Sequence, residues 1–389
     1  MRILLLNYEF PPVGGGASRA SFYMARELAR RGHHIDVLTC RADGQPEIEN
    51  VEGVCVYRVA SPRKSMHEAG MYAVMSYLFF ARRVLKQLLQ EHDYDCGHFY
   101  FAIPTGLLTF RWRAMTDAPY NISLRGSDVP NFDSNAKTIN LLHQVLKPVT
   151  SAILRHSHSV VANSESLREL AKESFHNEKI ITITNGVCPQ DFAPAKNMRQ
   201  DDRTVTALCV ARLIHRKGID ALLEAVAKCE STTVRVVIAG TGPQRNALIE
   251  HAKRLGIDNR IRFVGSVNSS EIVAHYQQAD FLIHPALVES FSMTLLEAMS
   301  CGLPIIASDI CGIRELVEHD INGLLISPGD IPALAKAIDR MAESKSLRAR
   351  FSGANRAKIL DQFTWEHITT AYEQQYDSDV TGAHRDKPQ

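Results

Sequence analysis

The stretch FLIHPALVESFSMTLLEAMSCGLPIIASD, residues 281–309, decides the fold. FLIHPA (281–286) is a short apolar run of strand length, and PIIASD (304–309) is a second. Between them Ser292 is a favoured N-cap, and residues 293–300 carry a helical apolar pattern. Strand, helix, strand in so few residues is a parallel β-α-β unit. The stretch also keeps Glu289 just before the helix start and Glu297 about one turn inside it. Backbone amides near Ser292, Met293 and Thr294 form an anion site there, helped by the helix dipole. A glutamate on each side of such a site is placed to accept hydrogen bonds from hydroxyls flanking a bound phosphate. The plainer explanation is that Glu297 suits a first helical turn and Glu289 is solvated.

Working outward, the same alternation runs along the chain. Strands are expected at RILLLN (2–7), HIDVLTC (34–40), VCVYRV (54–59), YNISLR (120–125), SVVANS (159–164) and ITITNG (181–186). After a polar gap at 194–204 come VTALCVARL (205–213), RVVIAG (235–240) and IRFVGS (261–266). Helical faces recur between them, with Ala17, Ala20, Met24 and Leu28 on one and Ile219, Leu222, Leu223 and Val226 on another. Apolar strands alternating with helices imply parallel sheets covered on both faces. The pattern restarts after residue 200, so the expected architecture is α/β, with two doubly wound Rossmann-like domains. The first spans 1–186 and the second 187–362. FTWEHITTAYEQQYD (363–377) reads as a final helix, and 378–389 as a disordered tail.

Length and composition agree. At 389 residues the chain exceeds what one core usually organises. Hydrophobic residues make up 45% and charged ones 22%, as in an ordinary globular chain. A net charge of +1 gives no global field to recruit nucleic acid. Eight cysteines show no CxxC pair and no zinc-ligand spacing, which fits a reducing cytoplasm. MRILLLNYEFPP has too short an apolar run for a secretory leader and reads as a first strand. The longest apolar run, 71–81, is too short to span a bilayer.

In open parallel sheets ligands bind beyond the carboxyl ends of the strands. Three further motifs fall there. NYEFPPVGGGAS (7–18) carries three glycines before a helix opening near Ser18, a place for close approach by a ligand or simply a pliant turn. VARLIHRKG (210–218) puts Arg212 and Lys217 at a strand's carboxyl end, which suits a diphosphate but equally a solvated basic turn. VVIAGTGPQRNAL (236–248) contributes Gly240, a weak signal that strand–helix packing explains as often as ligand contact does. There is neither a GK[ST] phosphate loop nor a GxGxxG fingerprint, which disfavours a dinucleotide-dependent dehydrogenase.

Taken together, ARLIHRKG, IAGTGP, FVGSV, ESFSMTLLEAMSCGLPIIASD and NGLLI resemble the donor domain of retaining glycosyltransferases of family 4. FPPVGGGAS, RRGHHIDVLT and ITNGV are similar to parts of their acceptor domain and linker. The resemblance implies a GT-B fold, with two domains facing across a cleft, over about residues 1–376. It implies that Glu289 contacts the transferred sugar and Glu297 the ribose hydroxyls. Arg212 and Lys217 would hold the diphosphate and neutralise the leaving group. Amides of Phe291, Ser292, Met293 and Thr294 would cap a phosphate, with Gly15 and Gly16 facing it. Gly265 and Val267 would line the base pocket. The expected activity is transfer of a hexose from a nucleotide-diphosphate sugar, such as a UDP or GDP sugar, with retained configuration. No cofactor or metal is implied, since the two cations supply the charge. The acceptor would be a glycan, a lipid-linked sugar or a small molecule, as in polysaccharide biosynthesis.

Two departures stand out. SLRGSDVP (123–130) has Arg125 where many members have histidine, and Arg125 and Asp128 are then candidates to touch sugar or acceptor. Ser290 and Ser292 replace glycines common around the phenylalanine. Separately, 63–90 forms a strongly apolar helix with Arg82, Arg83 and Lys86 at one end. It reads either as a core helix with a basic tip or as a peripheral contact with the inner face of the plasma membrane. Two other functions compete: a nucleotide-sugar epimerase of the same fold, and a non-catalytic nucleotide-binding subunit. The first lacks a convincing acid/base pair. The second does not require Glu289, Glu297, Arg212 and Lys217 all together.

Overall fold

A computed structural model describes residues 1–62, 70–177, 179–195 and 204–385, and divides them into two compact units. One comprises 1–185 together with the chain from Trp365 on, the other Gly186–Thr364.

The first unit is built on β1 (Arg2–Leu6), β2 (His34–Arg41), β3 (Ile48–Val51), β4 (Val54–Ala60), β5 (Cys96–Tyr100), β6 (Tyr120–Leu124), β7 (Ser159–Ala162) and β8 (Ile180–Thr182). Their order in the sheet is β3-β4-β2-β1-β5-β6-β7-β8, parallel except for β3. The helices are α1 (Gly16–Arg30), α2 (Met71–Glu91), α3 (Thr109–Arg113), α4 (Lys137–His156) and α5 (Glu165–Phe175). Ala20, Met24 and Leu28 of α1 are fully buried, the stripe that its periodicity requires. Two strands of this sheet escape the sequence reading. β3 is a polar edge strand with no apolar alternation, and β5, CGHFY, hides behind a histidine and a glycine although all five residues are buried.

The second unit holds β9 (Val205–Val210), β10 (Val234–Ala239), β11 (Ile261–Gly265), β12 (Phe281–His284), β13 (Ile305–Ser308) and β14 (Gly323–Ile326), in the order β11-β10-β9-β12-β13-β14, all parallel. Around it lie α6 (Ile219–Lys228), α7 (Arg245–Arg254), α8 (Ser269–Gln278), α9 (Met293–Ser300), α10 (Cys311–Arg314), α11 (Ile331–Glu343) and α12 (Lys345–Gln362). Val236, Ile238, Phe281, Ile283 and Ile306 from the sheet join Leu222, Leu223, Val226 and Ile338 from the helices in one buried cluster.

The chain then returns to the first unit as α13 (Trp365–Arg385), packed on α1. Residues 378–385, expected as part of a tail, continue this helix. Buried Tyr372 and Tyr376 anchor it. The Tyr376 hydroxyl lies 2.6 Å from Nδ1 of His98, whose Nε2 lies 2.6 Å from the Ser123 hydroxyl. Burial, reinforced by the nearby Arg125 charge, holds His98 well below the usual histidine range, so it is neutral. No helix among the described residues is long and apolar enough to cross a membrane. Residues 63–69, the first part of the stretch weighed for membrane contact, lie outside the described residues.

Candidate active site

In the Gly186–Thr364 unit the strand order reverses between β9 and β12, which are neighbours in the sheet. Loops 211–218 and 285–292 leave the carboxyl ends of these two strands, where a doubly wound sheet opens its crevice. They are fastened together. Leu287 donates its amide to the Arg216 carbonyl at 2.8 Å. Gly218 has φ +63°, and a Cβ there would meet the Pro285 carbonyl oxygen at 2.1 Å. Only glycine fits that approach.

The fastening brings Lys217 to Glu289: Nζ donates to Oε2 at 2.6 Å. Both side chains are largely enclosed, 13% and 18% exposed. His284, the last residue of β12, sets its Nε2 at 3.5 Å from the same carboxylate oxygen. Burial alone would raise the Glu289 carboxyl, but the Lys217 charge and His284 hold it well below the ordinary carboxylate range. Burial lowers His284, with Lys217 adding to the effect and Glu289 opposing it. The cluster is therefore a lysine cation, a carboxylate and a neutral imidazole.

Beside it α9 begins where the sequence places it. The Ser292 hydroxyl accepts from the Leu295 amide at 3.3 Å, capping one first-turn donor. Met293 and Thr294 follow as the first helical residues, and such positions direct amides at an anion. Phe291 is buried against Phe363, which fixes the loop from behind. Glu297 is 1% exposed and accepts from the Tyr276 hydroxyl of α8 at 2.9 Å, so its carboxylate is far more enclosed than that of Glu289.

Other expected residues fall differently. β9 ends at Val210, so Arg212 sits two residues beyond the strand, exposed on the loop that carries Lys217. Gly240 is explained by packing: a Cβ there would meet the Ala211 carbonyl oxygen at 1.9 Å, and its amide bonds to the Gly265 carbonyl at 2.7 Å. Gly265 itself lies at φ +79° with open space around it, and Val267 is half-buried on the same loop. In the first unit Gly15 is the N-cap of α1 and Gly16 its first residue, two positions ahead of Ser18. A Cβ on Gly15 would meet nothing within 4 Å.

Arg125 and Asp128 lie inside the first unit, held by its own groups. Both are buried, 8% and 3% exposed, and serve the fold. The Arg125 guanidinium donates to Asn185 at 2.8 Å and to the Tyr372 hydroxyl at 3.4 Å, and lies 4.4 Å from the Tyr100 ring centre. Asp128 accepts from the amides of Ala102 and Arg125, each at 2.8 Å, and so staples the loop after β5 to the loop after β6.

His284 is the residue that the sequence reading misses. Its signal is one titratable side chain ending an otherwise apolar strand, four buried residues in a row. Among the described residues no group of three or more His, Cys, Asp or Glu side chains is placed to hold a metal ion.

Comparison with known proteins adds independent findings. Residues 191–358 match the family model described as glycosyl transferases group 1, and residues 14–191 the model of glycosyltransferase family 4. An uncharacterized glycosyltransferase of Methanocaldococcus jannaschii is 28% identical over 95% of this chain and 96% of its own. A GDP-mannose-dependent alpha-(1-6)-phosphatidylinositol monomannoside mannosyltransferase of Mycobacterium tuberculosis is 25% identical over 94% of this chain and 96% of its own. Among solved structures, sucrose-phosphate synthase from Thermosynechococcus elongatus superposes with a TM-score of 0.87, at 21% identity, over 98% of this chain and 99% of that one.

Proposed function

We propose, from the premise that the chain belongs to the group 1 glycosyltransferases of the GT-B fold, that it moves a hexose from a nucleotide-diphosphate sugar to an acceptor hydroxyl. One observation carries this reading. The loops after β9 and β12 bring a lysine, a low-pKa carboxylate and a capped helix N-terminus to one switch point. These are the parts needed to hold a diphosphate and to grip hydroxyls beside it.

Breaking the anomeric bond leaves negative charge on the departing diphosphate. Lys217, Arg212 and the first amides of α9 are fixed cations and dipoles that stabilise that charge as it develops. Glu289 then accepts from hydroxyls of the sugar, and Glu297 from the ribose. The charges supplied by Lys217 and Arg212 make a divalent metal unnecessary, and the leaving phosphate can accept the acceptor's proton, with configuration retained.

Relatives divide over acceptors: the mycobacterial enzyme's name specifies a phosphatidylinositol monomannoside, that of the Thermosynechococcus protein a sucrose phosphate product. For this chain a lipid-linked acceptor is favoured by α2. Its outer side exposes Met71, Tyr72, Met75 and Phe79 and then Arg82, Arg83 and Lys86. We place the protein in the cytoplasm, at the inner face of the membrane.

The test is titration with UDP, GDP and ADP, with and without EDTA, alongside the Arg212→Ala variant. Chelator-insensitive binding of one nucleotide, weakened in the variant, is expected. No binding to any of the three would overturn the donor assignment.

A further inference from the structure

One carboxylate oxygen of Glu289 faces two basic groups, Lys217 at 2.6 Å and the buried His284 at 3.5 Å. The imidazole Nε2 is enclosed and stands just outside hydrogen-bonding geometry. In this state Lys217 is committed to Glu289, yet the donor reading asks the same ammonium to meet a diphosphate. A single lysine cannot fully neutralise both anions. Moving it would leave a mostly buried carboxylate without its cation, an expensive condition.

We propose that His284 is the positioning residue that takes over Glu289 when a nucleotide-diphosphate sugar draws Lys217 to its phosphates, gaining a proton from solvent as it does so. The inference rests on the donor reading above. A shift of about half an ångström brings Nε2 into ordinary hydrogen-bond range of Oε2. One solvent proton adds to the ring, Nε2–H is donated to Glu289, and the carboxylate keeps its aim at the sugar. When the product leaves, Lys217 returns and the proton is released.

The surrounding charges set the direction. Lys217 opposes a proton on His284 and Glu289 favours one. Once the phosphates engage the ammonium, its opposition weakens while the attraction of Glu289 remains. The titratable groups on the flanking strands do not compete. On β9, burial pushes the Cys209 thiol up to about 12. Beyond β13, Asp309 is paired with Arg314 at 2.5 Å.

The experiment is calorimetric titration at pH 7 with UDP-glucose, GDP-mannose and ADP-glucose in two buffers of different ionisation enthalpy. Such donors carry no group titrating near neutrality, so buffer-dependent heat reports proton uptake by the protein. Roughly one proton per bound donor is expected, with affinity falling up to about tenfold per pH unit above the free-state pKa of His284. In His284→Gln, which keeps a donor but cannot take the charge, both effects vanish. Buffer-independent heats in the wild type, or the same uptake in the variant, would overturn the proposal. Failure of all three donors to bind removes the donor reading itself, and this inference with it. Should His284→Gln not fold, Lys217→Met gives a second reading by NMR titration of the histidine ring. Its pKa is expected to rise without ligand, and an unchanged value refutes the mechanism.

Discussion

Gly218 and Pro285 meet where the two site loops cross, with the proline carbonyl oxygen 2.1 Å from where a Cβ on the glycine would sit. No side chain can occupy that space unless the loops part. The left-handed φ of +63° compounds the conflict. Gly218→Ala is therefore expected to lower stability by about 1–3 kcal/mol. It should also displace the adjoining Lys217, weakening nucleoside diphosphate binding by about tenfold. Thermal melts and titration of the variant check both effects. Unchanged affinity in a destabilised variant would show that the close approach supports the fold alone.

Glu289 and Lys217 predict opposite behaviour for binding and turnover. Glu289→Gln removes the carboxylate proposed to grip the sugar and also the anion that occupies Lys217. Transfer is expected to fall by about two to three orders of magnitude. Nucleoside diphosphate affinity should hold or rise, because the ammonium is released to the phosphates. Arg212→Ala should weaken binding and turnover together, by roughly ten- to a hundredfold, the worth of one charged hydrogen bond. Wild-type turnover in the Glu289 variant would remove it from the chemistry.

What the sequence disclosed and what it hid follow from the range of the forces involved. The helix cap at Ser292, the span of α9 and the alternation of strands are local, and each is readable from a few neighbouring residues. The pairing of Lys217 with Glu289 joins residues 72 apart, and no periodicity reports it. The bracing of Arg125 was hidden for the same reason: in the sequence it only stands where many related chains carry histidine, and its contact with Tyr372 depends on the return of α13. His284 was invisible because a lone histidine ending an apolar strand is most often a core residue. Its meaning comes from a carboxylate five positions later that a loop folds back upon it. For Gly240 the close approach of the Ala211 carbonyl is a packing reason for glycine that the motif alone did not show.

Arg125 and Asp128, as internal groups, predict effects on stability and not on donor affinity. Asp128→Asn loses charge-assisted acceptance from two buried amides, and Arg125→Met leaves Asn185 and Tyr372 without its guanidinium. Each is expected to cost about 1–3 kcal/mol. At a temperature where the variants remain folded, their nucleoside diphosphate affinity should match the wild type. A tenfold loss of affinity would return them to the binding site.

Acid should destabilise both units through two neutral buried histidines. Burial lowers His98, aided by Arg125, and burial lowers His284, aided by Lys217. In the unfolded chain each takes a proton near 6.5, whereas the folded chain resists it. The unfolded state thus binds more protons between the depressed folded values and 6.5, and stability drops as pH falls through that window. The slope is about 1.4 kcal/mol per pH unit for each histidine. Melting profiles from pH 7.5 to 5 should slope downward with acidity and flatten in part in His98→Gln. A wild-type profile flat across this range would mean that neither histidine is held neutral.

The outer side of α2 makes the last prediction. Its inner side, Ala73, Tyr77, Ala81, Leu85 and Leu88, is buried in the first unit, so the helix has its place in the core. That arrangement leaves Met71, Tyr72, Met75 and Phe79 exposed by 67%, 76%, 57% and 56%. Arg82, Arg83 and Lys86 follow on exposed positions, and no acidic residue occurs between Met71 and Gln90. Apolar side chains followed by cations along one exposed side suit an anionic lipid surface, where each cation is worth about 1 kcal/mol. The protein should therefore co-sediment with vesicles containing phosphatidylglycerol and not with neutral phosphatidylcholine vesicles, and salt should release it. Neutralising Arg82, Arg83 and Lys86 should reduce binding by about a hundredfold, as three such contacts imply. Met75→Asp with Phe79→Asp should remove the salt-resistant remainder. Absence of vesicle binding at low salt would leave α2 as a core helix with an exposed apolar flank, and the lipid-linked acceptor would lose its support.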